Sequence, residues 1–242
     1  MANKLPSLVD LSHTVEHGLI TYKGLPPPII CDYLSREASR QYYAPGTEFQ
    51  IGKIEMVANT GTYLDSPFHR YASGKDLSQL DLAKLANLPA IRISAGGKQA
   101  VNAACFPGAK DLRGKAVLVE TGWSRYWNTP QYFEGHPFLT EDAARLLADA
   151  GVALVGIDSH NIDDVQDLRR PVHSILLGKE TDRGAHDQSH SCAGGGIPIL
   201  CRPGEGQGLW DVSREGIRQP RSVTPVTLKL QVFHGIHTVA CN

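Results

Sequence analysis

The chain has 242 residues, 41% hydrophobic and 20% charged, with a formal net charge of -1. Those values exclude a fibrous or disordered chain and fit one globular domain with a sizeable core. The near-zero charge offers no basic footprint for nucleic-acid phosphates, so a small-molecule partner is expected and nucleic acid is not.

No apolar run is long enough to span a membrane, and the first twelve residues lack the continuous apolar core of a signal peptide. The expectation is therefore no membrane partner and a cytoplasmic location. In chain order, residues 8–11 form a short apolar stretch interrupted by Asp10, and Pro26-Pro27-Pro28 marks an extended loop. Residues 49–58 are expected to form a long strand that delivers the chain into Asn59-Thr60-Gly61-Thr62. Residues 115–120 (KAVLVE) are a β-branched run stopped by Thr121-Gly122. Thr140 is the expected N-cap of a helix, with Glu141 and Asp142 at its positive end and apolar Ala143, Leu146, Leu147 and Ala150 at helical spacing before Gly151. Residues 152–157 (VALVGI) then read as a buried strand ending at Asp158. Helix followed by strand predicts an α/β fold, with polar clusters just past the strand ends where such folds place their sites. The five cysteines (Cys31, Cys105, Cys192, Cys201, Cys241) show no C-x-x-C spacing, so reduced structural thiols are expected.

The most informative stretch is Asn59-Thr60-Gly61-Thr62-Tyr63-Leu64-Asp65-Ser66-Pro67-Phe68-His69. It resembles the H-x-G-T-H-x-D-x-P-x-H signature of the cyclase family, which includes kynurenine formamidase-like and isatin hydrolase-like metal-dependent hydrolases. Further points of resemblance are Asp10-Leu11-Ser12-His13, Thr121-Gly122-Trp123-Ser124, Gly156-Ile157-Asp158-Ser159 and Pro171-Val172-His173, so most of the chain up to about Lys179 is covered. The resemblance implies a single cyclase-like (swivelling β/α/β) domain with a central mixed sheet and flanking helices. It also implies assembly into homo-oligomers and a divalent metal, zinc or manganese. Asp65 and His173 are the implied metal ligands, His69 the implied acid or base, and Tyr22 the aromatic residue set against the substrate.

The implied reaction opens a C–N bond in a formylated arylamine or a cyclic amide, because imidazole and carboxylate ligands hold a metal that activates water. A nearby histidine can then move the proton to the leaving nitrogen. Asn59 and Tyr63 stand where the family has its two leading metal histidines; one offers only a weak carbonyl oxygen and the other a phenol that is protonated at neutral pH. Two arrangements fit: metal held by Asp65, His69 and His173 in altered geometry, or a protein that works without metal or not at all. The rival class is a catalytically silent small-molecule binding protein with the same fold.

Taken alone, His69 is equally a hydrogen-bonded structural histidine, Asp65 a turn cap and His173 a buried ring. His160 and Asp163-Asp164 look metal-like, yet Asp clusters after strands more often serve turns, and no direct role is expected of them. After about Glu180 the resemblance stops abruptly. Back-translation read one nucleotide later permits family-like alternation of apolar and polar residues, including V-P-V-K-V-K-G-F-G-T-F-P-V-R-A-F across residues 202–218. The implied second-site glutamate falls twelve residues after His173, where Ala185 stands. Residues 1–180 are therefore expected to form the hydrolase domain, and residues 181–242 an out-of-frame segment that packs poorly, the product being inactive if that frame is genuine.

Overall fold

Residues 10–106, 108–179 and 201–202 are described in the computed structural model of the chain. The β-branched run at 115–120 forms β5 (Ala116–Glu120), next to β3 (Leu88–Ser94) and β7 (Leu154–Ile157). With β8 (Cys201–Arg202) they make a sheet of order β7-β5-β3-β8 in which each neighbouring pair is parallel. Antiparallel pairing occurs in a separate ladder between β1 (Ile29–Leu34) and β2 (Ile51–Glu55). A third, two-stranded parallel pair joins β4 (Ala100–Val101) to β6 (Phe138–Leu139).

Successive side chains of a strand face opposite ways, and β5 uses both faces. Val117 and Val119 enter one apolar cluster with Val155 and Ile157 of β7 and with the buried faces of two helices. The helices are α2 (Glu141–Ala150), which contributes Ala143, Ala144, Leu147, Ala148 and Ala150, and α3 (Pro171–Gly178), which contributes Val172 and Leu176. Ala116 and Leu118 face the second cluster, with Leu64, Leu80 and Leu88. That burial explains why the strands read as continuous apolar runs rather than alternating ones. The side-chain burial of each large aliphatic residue contributes about 1.5–3 kcal/mol. Among the described residues no helix is long and apolar enough to cross a membrane.

Several expectations are refined. The α/β class, with parallel and antiparallel pairing and flanking helices, is observed. Thr140 does occupy the N-cap position, but its hydroxyl donates to the Val101 carbonyl at 3.3 Å and to the Asp142 carboxylate, and makes no cap bond to the helix. Gly151 ends α2 in the left-handed conformation (φ 73°), as a helix-terminating glycine should. The strand expected over residues 49–58 is shorter and wholly exposed, Ile51–Glu55. The apolar stretch at residues 8–11 is described only from Asp10 onward, where the chain is not in a strand. The reduced state expected of all five cysteines is corrected at Cys31, which is disulfide-bonded, whereas Cys105 is free. Apart from the pairing of Cys201–Arg202 with Leu88 and Pro89, the segment expected to be out of frame lies outside the described residues.

Candidate metal centre

The loop over residues 59–69 is held from both ends. The Thr60 hydroxyl donates to the Val57 carbonyl at 2.7 Å, the Gly61 amide to the Thr21 hydroxyl at 3.4 Å, and the His13 amide to the Thr62 hydroxyl at 3.4 Å. Gly61 has φ 72°, and a Cβ there would lie 2.6 Å from Val15 Cγ2, so a larger residue would be strained and would displace Val15. Leu64 anchors the loop in the second apolar cluster, directly before Asp65. Pro67 then opens a 3-10 turn, Pro67–His69, in which a proline at the first position is pre-set for the helical φ. The Tyr71 amide donates to the Pro67 carbonyl at 2.9 Å and the Phe68 amide to the Lys75 carbonyl at 3.1 Å.

His173 comes from α3, and two bonds tie that helix to the turn. Arg70 Nε donates to the Ser174 hydroxyl at 3.1 Å, and the Tyr71 hydroxyl to the Ser174 carbonyl at 2.8 Å. The result brings Asp65, His69 and His173 together, with one ligand atom from each lying within 4.8 Å of the others. His69 Nδ1 is 3.6 Å from Asp65 Oδ1, His173 Nε2 is 3.8 Å from Asp65 Oδ2, and the two imidazole rings are 6.0 Å apart. His69 is exposed and His173 half-buried.

Asp65 is 3% exposed, and its Oδ2 is a buried atom without a hydrogen-bond partner. Burial raises its pKa, against the opposing pull of His69, His173 and Asn59. An unpartnered buried carboxylate oxygen costs about 1–3 kcal/mol. A divalent cation would remove that cost, and two imidazoles with one carboxylate are a donor set suited to zinc or manganese. The residues present therefore fit a metal.

Asn59 and Tyr63 stand beside Asp65. Asn59 Nδ2 donates to Asp65 Oδ1 at 3.3 Å, so it steadies the carboxylate. Burial, then the Asp65 charge, pushes the Tyr63 phenol up to about 12, which keeps it protonated. The position of the implied second-site glutamate, Ala185, lies outside the described residues.

Tyr22 belongs to a set of packed rings. Its ring centre is 4.7 Å from that of His160, which also meets His136 and Phe133 at 5.2 Å each and Tyr132 at 5.5 Å. Burial, followed by the nearby His136, Lys23 and Arg170, lowers the His160 pKa to about 4, and its Nδ1 is buried without a hydrogen-bond partner. Asp163, of which no direct role was expected, is 1% exposed and its Oδ2 lies 2.5 Å from His173 Nδ1. Its signal in the sequence is only an acidic residue ten positions before a histidine, with a loop between them. Asp158 serves the fold: it accepts from the Thr121 amide and hydroxyl at 2.6 Å and from the Gly122 amide at 2.8 Å, closing the end of β5.

The family described as "Putative cyclase" matches residues 9–164. A kynurenine formamidase of Bacillus cereus is 26% identical over 180 residues, which span 72% of this chain and 78% of that protein. Two solved structures share the fold. One, titled a potential metal-dependent hydrolase with cyclase activity, has a TM-score of 0.57 and 22% identity, and the match spans 76% of this chain and 78% of that one. The other, an isatin hydrolase bound to the product analogue thioisatinate, has a TM-score of 0.56 and 17% identity, with 78% and 79% of the two chains matched.

Proposed function

The chain belongs to the cyclase family, and from that premise we propose that it is a hydrolase opening the C–N bond of a formylated arylamine or a cyclic amide. The observation that carries this reading is the buried Asp65 carboxylate, one oxygen unpartnered, between His69 and His173. Asp65 and His173 would hold a divalent cation, zinc or manganese. A divalent cation bound there supplies a Lewis acid that brings the pKa of water toward neutrality. His69 Nδ1, 3.6 Å from Asp65, takes a proton from the attacking water. The water oxygen bonds to the carbonyl carbon, the C–N bond breaks, and His69 returns the proton to the leaving nitrogen. A formamide then yields formate and the free amine; a cyclic amide opens to the amino acid. Tyr22, packed on the His160 ring, is the residue against which an aromatic substrate would stack.

The test is to load the full chain with zinc or manganese and assay both substrate classes with His69→Ala alongside. The expected outcome is a fall in kcat of roughly 10²–10⁴-fold with metal content unchanged. Loss of metal together with turnover would make His69 a third ligand. Absence of turnover in the unaltered chain with either metal would remove the hydrolase reading.

A second reading is favoured by Asn59 and Tyr63: a silent small-molecule binding protein, in which Asn59 occupies Asp65 Oδ1 and, among the described residues, no further imidazole completes the centre. Tight binding of a formamide or lactam without turnover would support it. Self-association into a homo-oligomer belongs to the same proposal and is supported by the exposed Ile29, Tyr33, Ile51 and Ile54 of the β1–β2 ladder. A cytoplasmic location belongs to it too.

A further inference from the structure

Helix α3 begins without a cap of its own. Arg170 occupies the N-cap position in the left-handed conformation (φ 50°) and makes no side-chain cap bond, and Pro171 has no amide hydrogen to offer. The first two amides needing an acceptor are those of Val172 and His173, and both go to Asp163. The Val172 amide donates to Asp163 Oδ1 at 2.7 Å and the His173 amide to Oδ2 at 3.0 Å. The loop holding Asp163 is fixed by its own bonds. The Asp163 amide donates to Asn161 Oδ1 at 2.9 Å, and Arg170 reaches back to the Asp164 carbonyl at 2.9 Å.

A cap needs no more than this, yet the same Oδ2 also lies 2.5 Å from the His173 ring nitrogen Nδ1. A carboxylate only accepts, so Nδ1 carries the ring proton and Nε2 presents its lone pair. Nε2 is the nitrogen that faces Asp65 Oδ2 at 3.8 Å. We propose that Asp163 is a positioning residue: it locks His173 in the Nδ1–H tautomer and aims Nε2 at the cation position beside Asp65. Buried carboxylates that hold the far nitrogen of a ligating histidine fix ring orientation and strengthen the ligand.

The proposal rests on the metal reading only for its effect on affinity; the tautomer can be read with no metal present. In the metal-free full chain, ring ¹⁵N NMR, at a pH raised until the ring is neutral, is expected to show His173 as Nδ1–H. Asp163→Asn, with its NH₂ in place of Oδ2, keeps an oxygen for the Val172 amide alone and turns a donor toward Nδ1, so it should convert the ring to Nε2–H. Zinc affinity, measured by competition with a chelator, should fall about 10–100-fold. An Nε2–H ring in the unaltered chain, or an Asp163→Asn variant with unchanged tautomer and affinity, would overturn the proposal. If the tautomer behaves as expected while neither protein takes up zinc, Asp163 keeps its role and the metal reading fails. Should the variant not fold, the spectrum of the unaltered chain still decides the tautomer.

Discussion

His160 is an imidazole whose protonation depends strongly on folding. Its pKa is near 4 in the folded chain, chiefly through burial, against about 6.5 for a free imidazole. Between those values the unfolded chain binds a proton that the folded chain refuses. The stability it contributes is therefore full above about pH 6.5 and is lost as pH falls toward 4. His136, also lowered by burial, acts in the same direction. Asp65 acts oppositely: its raised pKa lets the folded chain keep a proton that the unfolded chain has released, which favours the fold as pH drops. A His160→Phe variant, whose ring fits among Tyr22, Tyr132 and Phe133, should flatten the fall in melting temperature between about pH 6.5 and 4. An acid limb as steep as that of the unaltered chain would place the loss at other groups. At this scale the sequence was most readable where chemistry is local. Asp65 and His69 lie in one motif four residues apart. Asp163 was hidden because its partner is reached across a loop that turns through a left-handed Arg170, a conformation that nothing in a residue's type announces.

The elements that set the site are a short turn and a short helix rather than the long sheet. The Pro67–His69 turn is backed by Gly74, whose amide donates to the Tyr71 carbonyl at 2.8 Å. A Cβ at Gly74 would stand 2.6 Å from the Pro67 carbonyl carbon and 2.7 Å from its oxygen, both backbone atoms that cannot swing aside. Gly74→Ala is therefore expected to displace the turn, cost about 1–3 kcal/mol and move His69 relative to Asp65. A urea titration reads the first effect and zinc affinity the second; an alanine variant with unchanged midpoint and affinity would show that the turn yields freely. The sheet divided along similar lines in legibility. β5, α2 and β7 announced themselves by unbroken apolar runs or helical spacing. β3 did not, because Pro89 lies within it and proline normally argues against a strand interior. β1 follows three prolines and carries Asp32 and Tyr33, so neither period stands out.

For the whole molecule, the decisive matter is the reading frame beyond Glu180. The family match ends at residue 164, and the Bacillus cereus relative aligns with 72% of the chain. In the sequence that follows, the expected glutamate is Ala185 and the alternation of a half-buried strand is missing, although one shift of frame permits both family-like composition and that alternation. A chance match would not be expected to hold one register across residues 182–218. The centre would feel the difference chemically: Asp65 Oδ2 is unpartnered beside two imidazoles, and one more carboxylate is the kind of donor that would let a second cation share it. Resequencing the codons for Lys179 to Ala185 from the source DNA is expected to reveal a frame-changing difference, and the protein expressed in the other frame should bind more divalent metal per chain than the sequence as it stands. If the frame is confirmed unchanged, the missing glutamate is genuine, and the chain should bind at most one divalent cation, through Asp65 and His173, with correspondingly weak turnover.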